Sequence, residues 1–135
     1  MRILWAAVGL AAWSSAAPAA SIMVRSTSDD AVGQSIVYNL RNEIAGSALH
    51  KVVYNPEDAG FIISVITLKL DDGRSVYSAT LLVPPFDGKG FDYYLTGVVG
   101  YCGSSVTKSC GSGILSSFDK DIADVVSAVA KAAKK

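Results

Sequence analysis

The chain has 135 residues, 50% hydrophobic, with 12 Lys and Arg, 12 Asp and Glu, a single His and 2 Cys. That length leaves room for one domain and hardly two. The charges balance and the bases are scattered apart from Lys131, Lys134 and Lys135; without a concentrated positive face to neutralise phosphates, nucleic acid is a poor partner. The terminal lysines are better read as cations beside the carbonyl end of a helix.

The first residues, MRILWAAVGLAAWSSAAPAA, run from a basic Arg2 through an apolar stretch, Ile3 to Trp13, into small residues from Ser14 to Ala20. Charge, greasy core and small residues in that order form the plan of a secretory signal peptide. The apolar stretch is about half of the ~20 residues that span a bilayer, so stable membrane insertion after cleavage is not expected. Ala17-Pro18-Ala19 supplies an A-x-A cleavage site, with Ala20-Ser21 as an alternative. The reading is a leader over 1–20 and one α+β domain over 21–135, exported and periplasmic or extracellular.

The segment 28–46 repeats Val32, Ile36, Leu40 and Ile44 every four residues, with Val37 on the flank. At 100° per residue they share one stripe, which predicts an amphipathic helix. Ser28 is the expected N-cap, with Asp29 and Asp30 beside the positive helix end and Gly46 as the stop. From Leu49 the period drops to two. Strands are predicted over 49–54, 61–70, 74–83 and 91–101, separated by Asn55-Pro56, Asp72-Gly73 and the loop PPFDGKG, Pro84 to Gly90. A final helix over 114–135 places Leu115, Phe118, Ile122, Val125, Val126, Val129 and Ala133 on one stripe.

The Asp72-Gly73 pair predicts a two-residue hairpin turn, because glycine tolerates the positive φ of a type I′ turn. Leu68 then opposes Tyr77, Ile66 opposes Ala79 and Ser64 opposes Leu81. One face, with Ile62, Ile66, Leu68, Tyr77, Ala79 and Leu81, is the expected core. The other carries Phe61, Ile63, Val65, Val76, Ser78, Thr80 and Leu82. Helix, four mostly antiparallel strands, helix implies a two-layer α+β sandwich with both helices on one face of the sheet.

Cys102 and Cys110, eight positions apart in GYCGSSVTKSC, are the densest reactive chemistry in the chain. The spacing fits neither a zinc site, which needs further Cys or His ligands, nor a C-x-x-C redox centre. An even cysteine count in an exported chain implies a disulfide. Closing so short a loop contributes about 2–3 kcal/mol. Cys110-Gly111-Ser112-Gly113 lacks the spacing and the lysine of a phosphate loop. His50 is the single candidate base, and no serine lies in G-x-S-x-G. Glu57-Asp58 and Asp71-Asp72 sit in turn-like stretches where Asp is favoured locally. No catalytic residue, metal ligand or cofactor site is assigned.

What remains is aromatic. Tyr93 and Tyr94 are adjacent in a strand, so they point to opposite faces. One of them, with Phe61 and Val65, is the candidate exposed patch for a protein partner or for self-association. The expected function is therefore an exported, non-enzymatic binding domain: an envelope accessory, an inhibitor or an assembly component. The alternatives are a small exported hydrolase or thiol oxidoreductase, and a small-ligand carrier.

Overall fold

The computed structural model describes residues 20–135; the expected leader and its cleavage site lie outside the described residues, apart from Ala20. The elements are β1 (Ala20–Thr27), α1 (Ala31–Gly46), β2 (His50–Val53), a 3-10 turn at Pro56–Asp58, β3 (Phe61–Lys69), β4 (Ser75–Val83), β5 (Tyr93–Cys102) and α2 (Thr107–Ala132). The class is α+β as expected: two helices pack on one face of a five-stranded mixed sheet of order β2-β1-β3-β4-β5.

The sheet holds one strand more than the sequence pattern suggests. β1 pairs in parallel with both β2 and β3, while β3-β4 and β4-β5 are antiparallel. It begins directly after the apolar, small-residue stretch of the sequence, so no turn residues mark its start. Its alternation is nevertheless plain: Ala20, Ile22 and Val24 face the helices and are buried, and Arg25 is exposed. α1 provides the crossover that two parallel neighbours require.

The hairpin turn differs by one residue from the expected one. Leu70 N–H donates to the Arg74 carbonyl at 2.8 Å, Gly73 N–H donates to the Leu70 carbonyl at 3.1 Å, and Gly73 has φ 82°. The loop is therefore Asp71-Asp72-Gly73, a tight turn closed by a left-handed glycine, rather than two residues in a type I′ turn. Thr67 consequently opposes Tyr77, Val65 opposes Ala79 and Ile63 opposes Leu81. A one-residue slip exchanges the faces of a strand. In β3 Phe61, Ile63 and Val65 face the helices, and Ile66 and Leu68 are exposed rather than core; Ile62, though on the opposite side, is buried as expected, and in β4 Ala79 and Leu81 are core as expected.

Both helices begin elsewhere than expected. Asp30, not Ser28, caps α1, its carboxylate accepting from Gly33 N–H at 2.9 Å. α2 begins at Thr107, so Cys110 lies inside its first turn. Cys102 and Cys110 form a disulfide across a Cα separation of 6.2 Å, tying the end of β5 to the start of α2.

α1 presents Ile36, Leu40 and Ile44 to the core, and α2 presents Ile114, Leu115, Phe118 and Ile122. At 1.5 Å per residue, the 26 residues of α2 span about 39 Å. A nine-residue strand spans roughly 30 Å. The helix therefore overhangs the sheet, and the rest of its apolar stripe, Val125, Val126 and Val129, is half-buried or exposed.

The helices meet at Gly111. A Cβ placed there would lie 2.8 Å from the Leu40 backbone nitrogen and 3.1 Å from the Asn39 carbonyl carbon, contacts no side chain can hold. Asn39 seals the same crossing by donating to Thr107 Oγ1 at 3.2 Å. Gly111→Ala should destabilise by about 1–3 kcal/mol through overpacking. Gly113→Ala, in the same helix with nothing within 4 Å of the added carbon, should stabilise by roughly 0.5–1 kcal/mol. Opposite shifts of the two urea midpoints at constant m check the assignment.

Candidate functional site

The face of the sheet turned away from the helices is built by register. Across β3, β4 and β5 it carries four rows: Leu68-Val76-Tyr101, Ile66-Ser78-Val99, Ser64-Thr80-Gly97 and Ile62-Leu82-Tyr94. The end rows are apolar, and the row next to the Tyr94 end is small and polar. Tyr94 at 67%, Val99 at 70% and Tyr101 at 65% relative exposure stand out in solvent, with Ile66 and Leu68 beside them.

Tyr94 reaches this face because β5 bulges. Thr96 pairs with Leu81, but Tyr94, not Leu95, pairs with Leu82. The extra residue reverses the alternation, as a bulge does when it re-aims a side chain. Tyr94 then leans over Gly97, whose added Cβ would sit 3.5 Å from the tyrosine oxygen. Gly100 is covered from the other side by Tyr77, whose ring oxygen lies 2.5 Å from where a Cβ would be. Both glycines of β5 thus lie under a tyrosine, which restores packing that a glycine lacks in a strand. At the other end of the face the Arg74 guanidinium lies 5.5 Å from the Tyr101 ring centroid and is also paired with Asp72 at 2.6 Å.

The expected patch is therefore divided. Phe61 and Val65, at 4% and 0% exposure, belong to the core, because the shifted register turns them toward the helices. Tyr93 and Tyr94 are both exposed and lie on opposite sides, Tyr93 opposite Val83 and Tyr94 opposite Leu82. Tyr94 alone of the four joins the open face. Val99, Tyr101, Ile66 and Leu68 complete it. Alternation in Gly97–Tyr101 marks the first two, whereas the last two were assigned to the core by the assumed turn length.

A second concavity of about 1050 Å³ opens at the end of the sheet, between the overhanging α2, the Pro84–Gly90 loop and Pro56–Gly60. Val125, Val126 and Val129 form one wall and Phe86 the other. Arg25 and Asp92, paired at 3.1 Å, line its rim and tie β1 to the start of β5.

Elsewhere most polar groups are accounted for by structure, His50 Nδ1 excepted. His50 is buried, its Nε2 2.9 Å from Asp119 Oδ1, and its buried Nδ1 has no partner among the described residues. Neither nitrogen meets a serine hydroxyl. Glu57 and Asp58 lie in the 3-10 turn, and Asp72 is occupied by Arg74, which holds its carboxyl below the usual range through a direct hydrogen bond. No group of three or more His, Cys, Asp or Glu is placed to hold a metal among the described residues. No helix among them is long and apolar enough to cross a membrane.

The largest polar cluster, which the sequence reading missed, surrounds Asp30. Its carboxylate accepts from Gly33 N–H, from Thr67 Oγ1 at 2.7 Å and from Ser75 Oγ, and Ser28 bonds Thr67. A Cβ at Gly33 would collide with Ser28, Thr67 and Asp30 together. The signal was present as Ser28-x-Asp30-x-x-Gly33, a capping residue followed by a glycine that leaves space for its partners. The cluster fastens the start of α1 to β3 and β4.

The chain is thus a two-layer α+β protein with a stapled corner and an apolar open sheet face. Its structure is similar to that of a PelC dodecamer from Paraburkholderia phytofirmans, at 19% sequence identity over 76% of this chain and 91% of that one, with a TM-score of 0.44. No protein-family model and no curated protein matches the chain. Similarity at that level leaves function to the residues of this chain.

Partial burial alone would raise the Asp30 carboxyl, but the hydrogen bonds from Ser75, Gly33 and Thr67 outweigh it and hold it below its ordinary value of 3.8. A depressed carboxyl stabilises the fold above the unfolded-state value, and that contribution is lost as pH falls through the folded-state value. Asp30→Ala should cost about 1–2 kcal/mol at neutral pH. The gap to the wild type should close as pH falls below 3.8. Urea titrations at pH 7 and pH 3 measure both.

Proposed function

We propose that the protein is an exported binding module whose open sheet face docks another protein. The observation that carries this reading is the set of exposed apolar side chains, Tyr94, Val99, Tyr101, Ile66 and Leu68, on the sheet face turned away from the helices. Exposed apolar surface of this kind marks interaction sites, and tyrosines supply contact area at little entropic cost. Export is supported by the Cys102–Cys110 disulfide, since such bonds persist in oxidising compartments, and by the leader-like N-terminal sequence.

The test is to crosslink and recover the partner in the native compartment. Tyr94→Ala with Tyr101→Ala should leave the unfolding midpoint within about 0.5 kcal/mol of the wild type, as surface changes do. Recovery should fall by about tenfold or more, as for paired aromatic anchors. Tyr93→Ala, on the helix side, should recover the partner normally. Undiminished recovery with the double variant removes the face from function.

A second reading rests on the concavity under α2, whose 1050 Å³ is of the size of small-molecule sites. Its apolar walls suit an acyl or aromatic ligand. An environment-sensitive naphthyl or fatty-acyl probe should bind with a fluorescence increase. Val129→Glu, at an exposed position on one wall, should abolish that increase without altering stability. A probe that stays dark with the wild type rules out the carrier.

A further inference from the structure

β5 is an outer strand, paired with β4 on one side and with no strand on the other among the described residues. An outer strand presents a row of open backbone N–H and C=O groups, and proteins guard such rows with short strands, charges, prolines or bulges. The opposite edge follows that rule: β2 has 4 residues and includes Lys51. β5 does not. Its 10 residues, YYLTGVVGYC, contain no charge and no proline. The one bulge falls between the Leu81 and Leu82 pairings, which leaves Thr96–Cys102 in unbroken register with β4. The disulfide at Cys102 anchors the far end of that regular run.

We infer that β5 pairs edge to edge with β5 of a second copy of this chain, antiparallel, so that two five-stranded sheets become one continuous sheet. What the edge lacks is hydrogen-bonding partners in a regular array, which another strand supplies and a helix or a loop does not. A second copy satisfies this need on both sides at once, because a two-fold axis through the pairing gives each strand the complement of its own open groups. Charge permits it as well. Neither strand carries a charge to repel its twin, and Arg74, the cation nearest the Tyr101 end, is already neutralised by Asp72. Pairing would lay the apolar rows of both open faces side by side on one platform. The inference deepens the binding-module reading, on which it rests, by naming a second copy as a partner and the strand edge as the contact.

The experiment uses the disulfide-bonded protein purified from its native host. Sedimentation velocity over a concentration series should show a monomer–dimer equilibrium, and amide exchange should show protection in Thr96–Tyr101 that rises with concentration. Val99→Lys should weaken dimerisation by about tenfold or more, since like charges face each other across the new pairing. Val99 is exposed, so the monomer's unfolding midpoint should not move. Ile66→Lys, on the same face but in β3, should leave the dimerisation constant unchanged. A protein that stays monomeric throughout overturns the inference, and so does a dimer whose β5 amides exchange freely. Equal weakening by Val99→Lys and Ile66→Lys overturns it too, in favour of face-to-face stacking. In each of those outcomes the Tyr94 and Tyr101 crosslinking experiment still decides separately whether the face binds a partner.

Discussion

The length of the turn between β3 and β4 governs everything the sheet presents to solvent. Asp71-Asp72-Gly73 closes the hairpin with three residues, and glycine at φ 82° takes the left-handed position that ends it. Side chains alternate with a period of two, so the turn decides which half of β3 is buried. With three residues, Phe61, Ile63 and Val65 face the helices; with two, they would turn away and Ile66 and Leu68, now exposed, would face the helices with Ile62. The apolar content of the two sets is nearly equal. Burial alone therefore discriminates weakly, and turn geometry fixes the outcome.

The helix-bearing side is held by ties of different kinds. The disulfide joins β5 to the first turn of α2, Gly111 lets α2 press on the backbone of α1, and the Asp30 cluster fixes the start of α1 to β3 and β4. Together they position both helices from the end of the molecule where α1 and α2 begin. α2, held as far as the His50–Asp119 contact and buried Ile122, runs on past the sheet, and its last apolar turns line the concavity. The same stripe that reads in the sequence as one continuous core face thus serves two surroundings. Periodicity reports an apolar face but not how far the covering layer extends.

Much of the architecture was legible. The two helical stripes, the strands after Leu49, the α+β class and the disulfide all followed from periodicity, turn residues and cysteine count. β1 was not legible because a parallel inner strand has no hairpin turn to announce it, and because Ser21 to Thr27 follows directly on an apolar, small-residue stretch. Of the expected patch, alternation left Tyr93 and Tyr94 undistinguished, and both are exposed, while the assumed turn length turned Phe61 and Val65 outward although they are buried. The Asp30 cluster is tertiary: Thr67 and Ser75 lie 37 and 45 residues away, beyond the reach of a local pattern.

The needs of the fold account for part of the open face, since Tyr94 packs over Gly97 and Arg74 lies against the Tyr101 ring. Strand propensity favours β-branched and aromatic residues, so Tyr and Val might be present in β5 only to keep it extended. Threonine meets that need without exposing apolar surface, and the protein uses it on this face at Thr80 in β4. At Val99, Tyr101 and Tyr94 it does not, although each is more than half exposed and outside the core. The bulge that brings Tyr94 to the same side adds to the case, because it interrupts regular pairing to place one more aromatic ring in solvent. A strand that keeps its edge free of charge and its exposed face apolar gains nothing from either feature as an isolated monomer. The proposed docking of another chain would give both a role.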